Sequence, residues 1–120
     1  MKRSVKKFAA GVVYTLSISP EDMPVRGNAS AWDDEAENES YAAEIIEQLE
    51  RGNDWAWCIV TVTARHPDIA GLSGVDHLGG CSYRNEAELT QPGGYYDGMR
   101  AEALDDLLKQ IDAIATVVCS

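Results

Sequence analysis

The sequence predicts an α+β domain: a three-stranded antiparallel sheet, element order β-α-β-β-α, with two helices packed on one face. Three observations lead there. Residues 55–65 alternate between two faces and are dense in aromatic and β-branched side chains, which fit a pleated, half-buried surface. Residues 41–49 and 104–118 instead repeat their apolar side chains every three or four positions, the period of an amphipathic helix. Gly and Pro fall between these stretches rather than inside them. At 120 residues, with 45% hydrophobic and 25% charged side chains, the chain is expected to form one domain, 1–120, around one core.

The first strand is expected over 8–19, with Val12, Tyr14, Leu16 and Ile18 on one face and Val13, Thr15 and Ser17 on the other. Pro20 ends it, and 20–31 reads as a loop. A helix follows over 33–51, capped by Asp33 or Asp34 and stopped at Gly52, with Tyr41, Ala42, Ile45, Ile46 and Leu49 as its apolar stripe. The central strand is 55–65. One face carries Ala56, Cys58, Val60, Val62 and Ala64, and the other carries Trp55, Trp57, Ile59, Thr61 and Thr63. A shorter strand is expected over 72–78. The corners Gly79-Gly80 and Gly93-Gly94 bracket a short helical turn within 85–90. The last helix, 97–118, buries Leu104, Leu107, Leu108, Ile111, Ala115 and Val118, with Glu102, Asp105, Asp106, Lys109 and Asp112 outside.

Lys2, Arg3, Lys6 and Lys7 before the apolar stretch 8–18, together with Ala29-Ser30-Ala31, superficially resemble a secretory leader. The stretch contains Tyr14, Thr15 and Ser17 and alternates, so a strand is the better reading. Three cysteines, Cys58, Cys81 and Cys119, form no CxxC pair and no disulfide framework. Both points lead to the expectation of a soluble cytoplasmic protein with no membrane association.

Chemistry-bearing constellations are thin. Cys81 with His77 could serve as nucleophile and base, but Asp76 and His77 are adjacent on a strand and point to opposite faces. A structural cysteine beside a surface histidine is the preferred reading, and no catalytic residue is assigned. His66, His77, Cys58 and Cys81 lack metal-ligand spacing. Asp33-Asp34-Glu35 lacks the alternating oxygens and central Gly of a calcium loop. The glycine pairs precede no Lys-Ser/Thr and form no GxGxxG, so Gln91-Pro92-Gly93-Gly94 reads as a tight turn. Neither metal nor cofactor is expected.

Charge is the unusual property. The chain has 20 acidic and 10 basic residues, a net charge of −10. Between Glu21 and Asp54 there are eleven acids and two bases, Arg26 and Arg51. Asp33, Asp34, Glu35, Glu37, Glu39, Glu44, Glu47 and Glu50 place eight carboxylates and no base within 18 residues. On a helix that is roughly one charge per 3.3 Å, close to the ~3.4 Å phosphate spacing of one DNA strand, although the charges wind around the axis. Such a field repels nucleic acid and anionic membranes and attracts basic surfaces. Trp55, Trp57, Tyr95 and Tyr96 are candidate aromatic anchors for a partner. The competing readings are a solvated helix face and a minor core beneath a loop.

The segments Asp54-Trp55-Ala56-Trp57, Leu78-Gly79-Gly80-Cys81-Ser82-Tyr83, Gln91-Pro92-Gly93-Gly94-Tyr95-Tyr96-Asp97 and 99–104 resemble a family of small uncharacterised proteins carried by phages, plasmids and other mobile elements. The resemblance spans roughly 24–108, beginning near Pro24-Val25-Arg26-Gly27-Asn28. It brings no catalytic residue. It implies an anti-defence setting, in which small acidic proteins include nucleic-acid mimics and anti-CRISPR inhibitors. The expected partner is therefore a basic nucleic-acid-binding protein or complex of the host, with no direct binding of nucleic acid. Two alternatives are a small Cys81/His77 enzyme and an accessory protein whose acidity serves only solubility.

Overall fold

The computed structural model describes residues 2–29 and 33–119, with side chains over 6–29 and 33–115. The Ser30-Ala31 part of the expected loop and the side chains of Lys2, Arg3, Val118 and Cys119 lie outside the described residues. The chain is α+β. Its order is α1 (Lys2–Ala10), β1 (Val13–Pro20), α2 (Glu35–Glu50), β2 (Cys58–Arg65), β3 (Gly74–Cys81), α3 (Glu86–Leu89) and α4 (Tyr95–Cys119), with 3-10 turns at Asp54–Ala56 and Pro67–Ile69. The three strands form one antiparallel sheet in the order β1-β2-β3, so β2 is central, as expected.

The chain groups into two compact units. The first is drawn from Met1–Ser17, Thr61–His77 and Pro92–Ser120, and the second from Ile18–Val60 and Leu78–Gln91.

In the first unit, the expected strand over 8–19 is shortened by a helix. Residues 8–10 belong to α1, which ends where the N–H groups of Gly11 and Val12 donate to the Phe8 and Ala9 carbonyls. Phe8 stacks on His66, with centroids 4.1 Å apart. Gly11 lies against the same imidazole: a Cβ there would sit 2.7 Å from Nε2. His66 is buried, and its Nδ1 accepts from Asp68 N–H at 3.1 Å, capping the turn that follows β2. The alternation read for the strand itself holds, with Tyr14 and Leu16 half-buried and Val13, Thr15 and Ser17 exposed.

Helix α4 starts at Tyr95, two residues earlier than expected, because Asp97 organises the entry. Its carboxylate accepts from Gly93 N–H at 3.0 Å and from Arg100 Nη2 at 2.6 Å. Those donors hold its pKa below the ordinary value. The buried stripe is Met99, Ala103 and Leu107, flanked by half-buried Leu104, Leu108 and Ile111. Ala115, expected inside, is exposed. Asp106, expected on the outside, is half-buried and bonded to the β3 backbone. Gly74 lets α4 come close to β3, since a Cβ there would be 2.8 Å from Leu107 Cβ.

In the second unit, the loop after β1 is ordered by its own hydrogen bonds. Ala29 N–H donates to the Val25 carbonyl at 2.9 Å and Asn28 Nδ2 to the Pro24 carbonyl at 2.8 Å. Val25 and Ala29 thereby join Ala42, Ile45, Ala56 and Trp57 in a buried cluster, with Tyr41, Ile46 and Leu49 packed around it. The stripe read for α2 is the observed one. Strand β3 runs on through Gly79, Gly80 and Cys81, past the expected end at Leu78; Gly80 has φ +62°, and its N–H is taken by Glu21 Oε1 at 2.7 Å.

Candidate partner-binding site

The eight carboxylates of 33–50 are all exposed. They differ in what holds them. Asp34 is the N-cap of α2, accepting from Ala36 and Glu37 N–H at 2.8 and 3.4 Å. Glu39 pairs with Arg26 Nε at 2.8 Å, and Glu47 with Arg51 Nη2 at 2.6 Å. The two arginines that interrupt the acidic stretch in sequence therefore return to it in space. Asp33, Glu35, Glu37, Glu44 and Glu50 form no ion pair or hydrogen bond through their carboxylates among the described residues. Glu37 and Glu44, seven residues apart, fall on one stripe with Tyr41 and Gln48.

The part of that stripe from Tyr41 to Gln48 forms one wall of a cleft of ≈ 740 Å³. Tyr41, Glu44, Glu47 and Gln48 come from α2, and Ser82, Tyr83, Arg84 and Glu88 from the segment running into α3. Buried Ile45 and Ala56 lie at its base. The second wall is held in place locally. Tyr83 N–H donates to the Trp55 carbonyl at 2.8 Å, Asn85 Oδ1 caps α3 through Glu88 N–H at 3.0 Å, and Glu88 lies 3.7 Å from Arg84 Nε. Neither the cleft nor Tyr83 was assigned from sequence. Tyr41 was legible there only as an apolar stripe position.

The aromatic candidates separate. Asn53 Oδ1 accepts from Trp55 N–H at 3.2 Å and starts the 3-10 turn, so β2 begins only at Cys58. Trp55 therefore leaves the strand face expected to carry Trp55, Trp57 and Ile59. Trp57 is buried, and its Nε1–H donates to the Met23 carbonyl at 2.8 Å; Trp55 is half-buried. In the first unit, Tyr96 is half-buried with the Arg100 guanidinium 4.8 Å from its ring centroid, whereas Tyr95 is 68% exposed.

Cys58 and Cys81 are free and buried. Burial, reinforced by Cys81, Glu21 and Asp54, pushes the Cys58 thiol up to about 11. Burial also raises the Cys81 pKa, against a hydrogen bond from Val60 N–H. The Cys81 S–H donates to the Leu78 carbonyl at 3.2 Å. Thiols held protonated in this way are poor nucleophiles. His77 is exposed, with Nδ1 2.9 Å from Thr61 Oγ1 on the neighbouring strand. Among the described residues no group of three His, Cys, Asp or Glu side chains is placed to hold a metal, and no helix is long and apolar enough to cross a membrane. No family model, curated protein or solved structure matches the chain.

Proposed function

We propose that this protein is a small acidic interaction protein that occupies a basic, nucleic-acid-binding surface of a host complex, with α2 as its main contact. One observation carries the reading: five exposed carboxylates on and beside α2 have no partner within the described chain. An exposed helix that served only solubility would interleave Lys with Glu at i,i+4, and the two arginines present neutralise only Glu39 and Glu47. Lys and Arg that normally hold phosphates would meet these unpartnered carboxylates instead. Combined with the mobile-element resemblance, this describes an inhibitor of the anti-CRISPR type. It would act in the bacterial cytoplasm by competing with nucleic acid rather than by catalysis.

The test is capture of the tagged full-length protein's partner from a bacterial lysate, followed by competition. The expected partner is a nucleic-acid-binding complex from which DNA or RNA displaces the protein. A partner that holds this protein and its nucleic acid simultaneously, without mutual displacement, overturns the reading.

A further inference from the structure

We infer that the outer edge of β1 is a self-association site: a second copy of this chain adds its own β1 there, joining two three-stranded sheets into one. The inference goes beyond the proposed function and does not rest on it. The two outer strands of the sheet are finished differently. On β3, Asp106 takes the Val75 N–H at 2.9 Å and Glu21 takes the Gly80 N–H at 2.7 Å, while Gln110 donates at 2.8 Å to the Ser73 carbonyl just before the strand. Side chains thereby occupy backbone groups that an added strand would need. On β1, no side chain or loop among the described residues bonds to the backbone of Val13–Pro20, and β2 is its one strand neighbour. The strand also lacks what keeps an edge unpaired: it has no Lys, Arg, Asp or Glu, and its Pro is the last residue.

A second copy fits this edge in shape and in charge. Tyr14, Leu16 and Ile18 are the inward residues of β1, yet all three remain half-buried, whereas Val60 and Val62 of the central strand are fully buried. An added β1 would set the same three residues against them and continue the apolar layer. In an antiparallel pair related by a two-fold axis, opposite residues share a face, so their numbers sum to an even number. Pro20 has no N–H to give an added strand. Pairing centred on Leu16 meets both conditions: it sets Leu16 opposite Leu16, Tyr14 opposite Ile18 and Thr15 opposite Ser17 of the second copy. A net charge of −10 makes two copies repel in general, but β1 is neutral and its two ends differ in sign. Exposed Lys6 and Lys7 precede it in α1, whereas exposed Asp22 follows it and Asp54 lines a small cavity with Ser19 and Pro20. Antiparallel pairing brings the basic end of each strand towards the acidic end of the other, and parallel pairing would set like beside like.

Analytical ultracentrifugation of the full-length protein over a concentration series should show a dimer that dissociates on dilution. Thr15→Lys combined with Ser17→Lys places like charges opposite one another on the exposed face of the joined sheet, and should weaken dimerisation at least about tenfold. Ala101→Lys combined with Ala113→Lys adds the same charge at exposed positions of α4 and should leave dimerisation unchanged. Hydrogen exchange of the wild-type protein decides the location even should the β1 variant not fold. Amides within 13–19 should gain protection as concentration rises, and those of β3 should not. A chain that stays monomeric up to millimolar concentration overturns the inference. So does a dimer indifferent to the β1 lysines in a folded variant, or protection gained on β3 instead of β1.

Discussion

The carboxylate of Asp106 on α4 accepts the backbone N–H of Val75 on β3 at 2.9 Å. Strand β3 is an outer strand of the sheet, and an unpaired strand N–H that is partly buried needs an acceptor. Gln110 completes the arrangement, donating to the Ser73 carbonyl at 2.8 Å and to Asp106 Oδ2 at 3.2 Å. Asp106→Ala leaves both donors without this acceptor and should cost about 1–3 kcal/mol in urea unfolding. Asp105→Ala removes only an exposed pairing with Lys109 and should cost under about 1 kcal/mol. Equal losses at the two positions would contradict the capping role.

Packing on the same helix gives a second expectation. Leu107 is fully buried and Ile111 half-buried. Leu107→Ala should destabilise by about 2–5 kcal/mol, and Ile111→Ala by clearly less. Gly74→Ala would place a methyl group 2.8 Å from Leu107 Cβ and 2.5 Å from its backbone nitrogen. Relief requires α4 itself to shift, so a loss of roughly 1–3 kcal/mol is expected. Unfolding curves in which Gly74→Ala matches wild type would mean that the approach of α4 to β3 is looser than described.

Periodicity made the central strand and the stripe of α2 legible, because both bury one face continuously. It failed where a single side-chain contact decides the backbone. Asn53 caps a turn over Asp54–Ala56 that takes Trp55 and Ala56 out of the expected strand, and with it the apparent Trp55/Trp57 pairing on one face is lost. Phe8 looks like the start of a strand, but it ends a helix and stacks on His66, fifty-eight positions away in sequence. The Gly79-Gly80 pair reads as a corner, yet Glu21 satisfies Gly80 N–H within β3. The acidic content of the site was readable as composition. Which carboxylates are neutralised was not, because Arg26 lies thirteen residues from Glu39. The cleft joins residues near 44 and near 83, a pairing that no local pattern encodes.

The buried thiols predict a pH dependence. Folding raises the Cys58 pKa from its ordinary 9.0 to about 11. In that window the folded chain keeps a proton that the unfolded chain releases. The associated stability is complete below pH 9 and is lost as the pH rises to about 11, at most about 2–3 kcal/mol. Cys58→Ala should remove this part of the alkaline slope, whatever its effect at neutral pH. Urea midpoints for both proteins between pH 7 and 11 would check it, and parallel slopes would refute it. Thiol-reagent labelling of native Cys58 and Cys81 should likewise be slow at neutral pH and become fast on unfolding.

The acidic helix gives the remaining prediction, which concerns the partner once captured. Glu37, Glu44 and Glu50 are exposed and lack partners among the described residues, so converting all three to Gln removes three charges and no described contact. Gln and Glu have similar helix propensities, so folding should hardly change. Glu102, Asp105 and Asp112 on α4 provide a control of equal charge, with Asp106 left intact because it is bonded to the β3 backbone. Attraction between oppositely charged surfaces is screened over a Debye length of about 8 Å at physiological salt. Wild-type affinity and association rate should therefore both fall as salt rises. The α2 variant should bind more weakly than the α4 variant at low salt, and this gap should narrow at high salt as screening replaces what the mutations removed. Added DNA or RNA should displace wild type from the partner. Binding rates for the three proteins across a salt series, with and without competitor, measure all of this. Identical, salt-independent rates would reject α2 as a phosphate mimic and direct attention to Tyr95, the most exposed of the aromatic candidates.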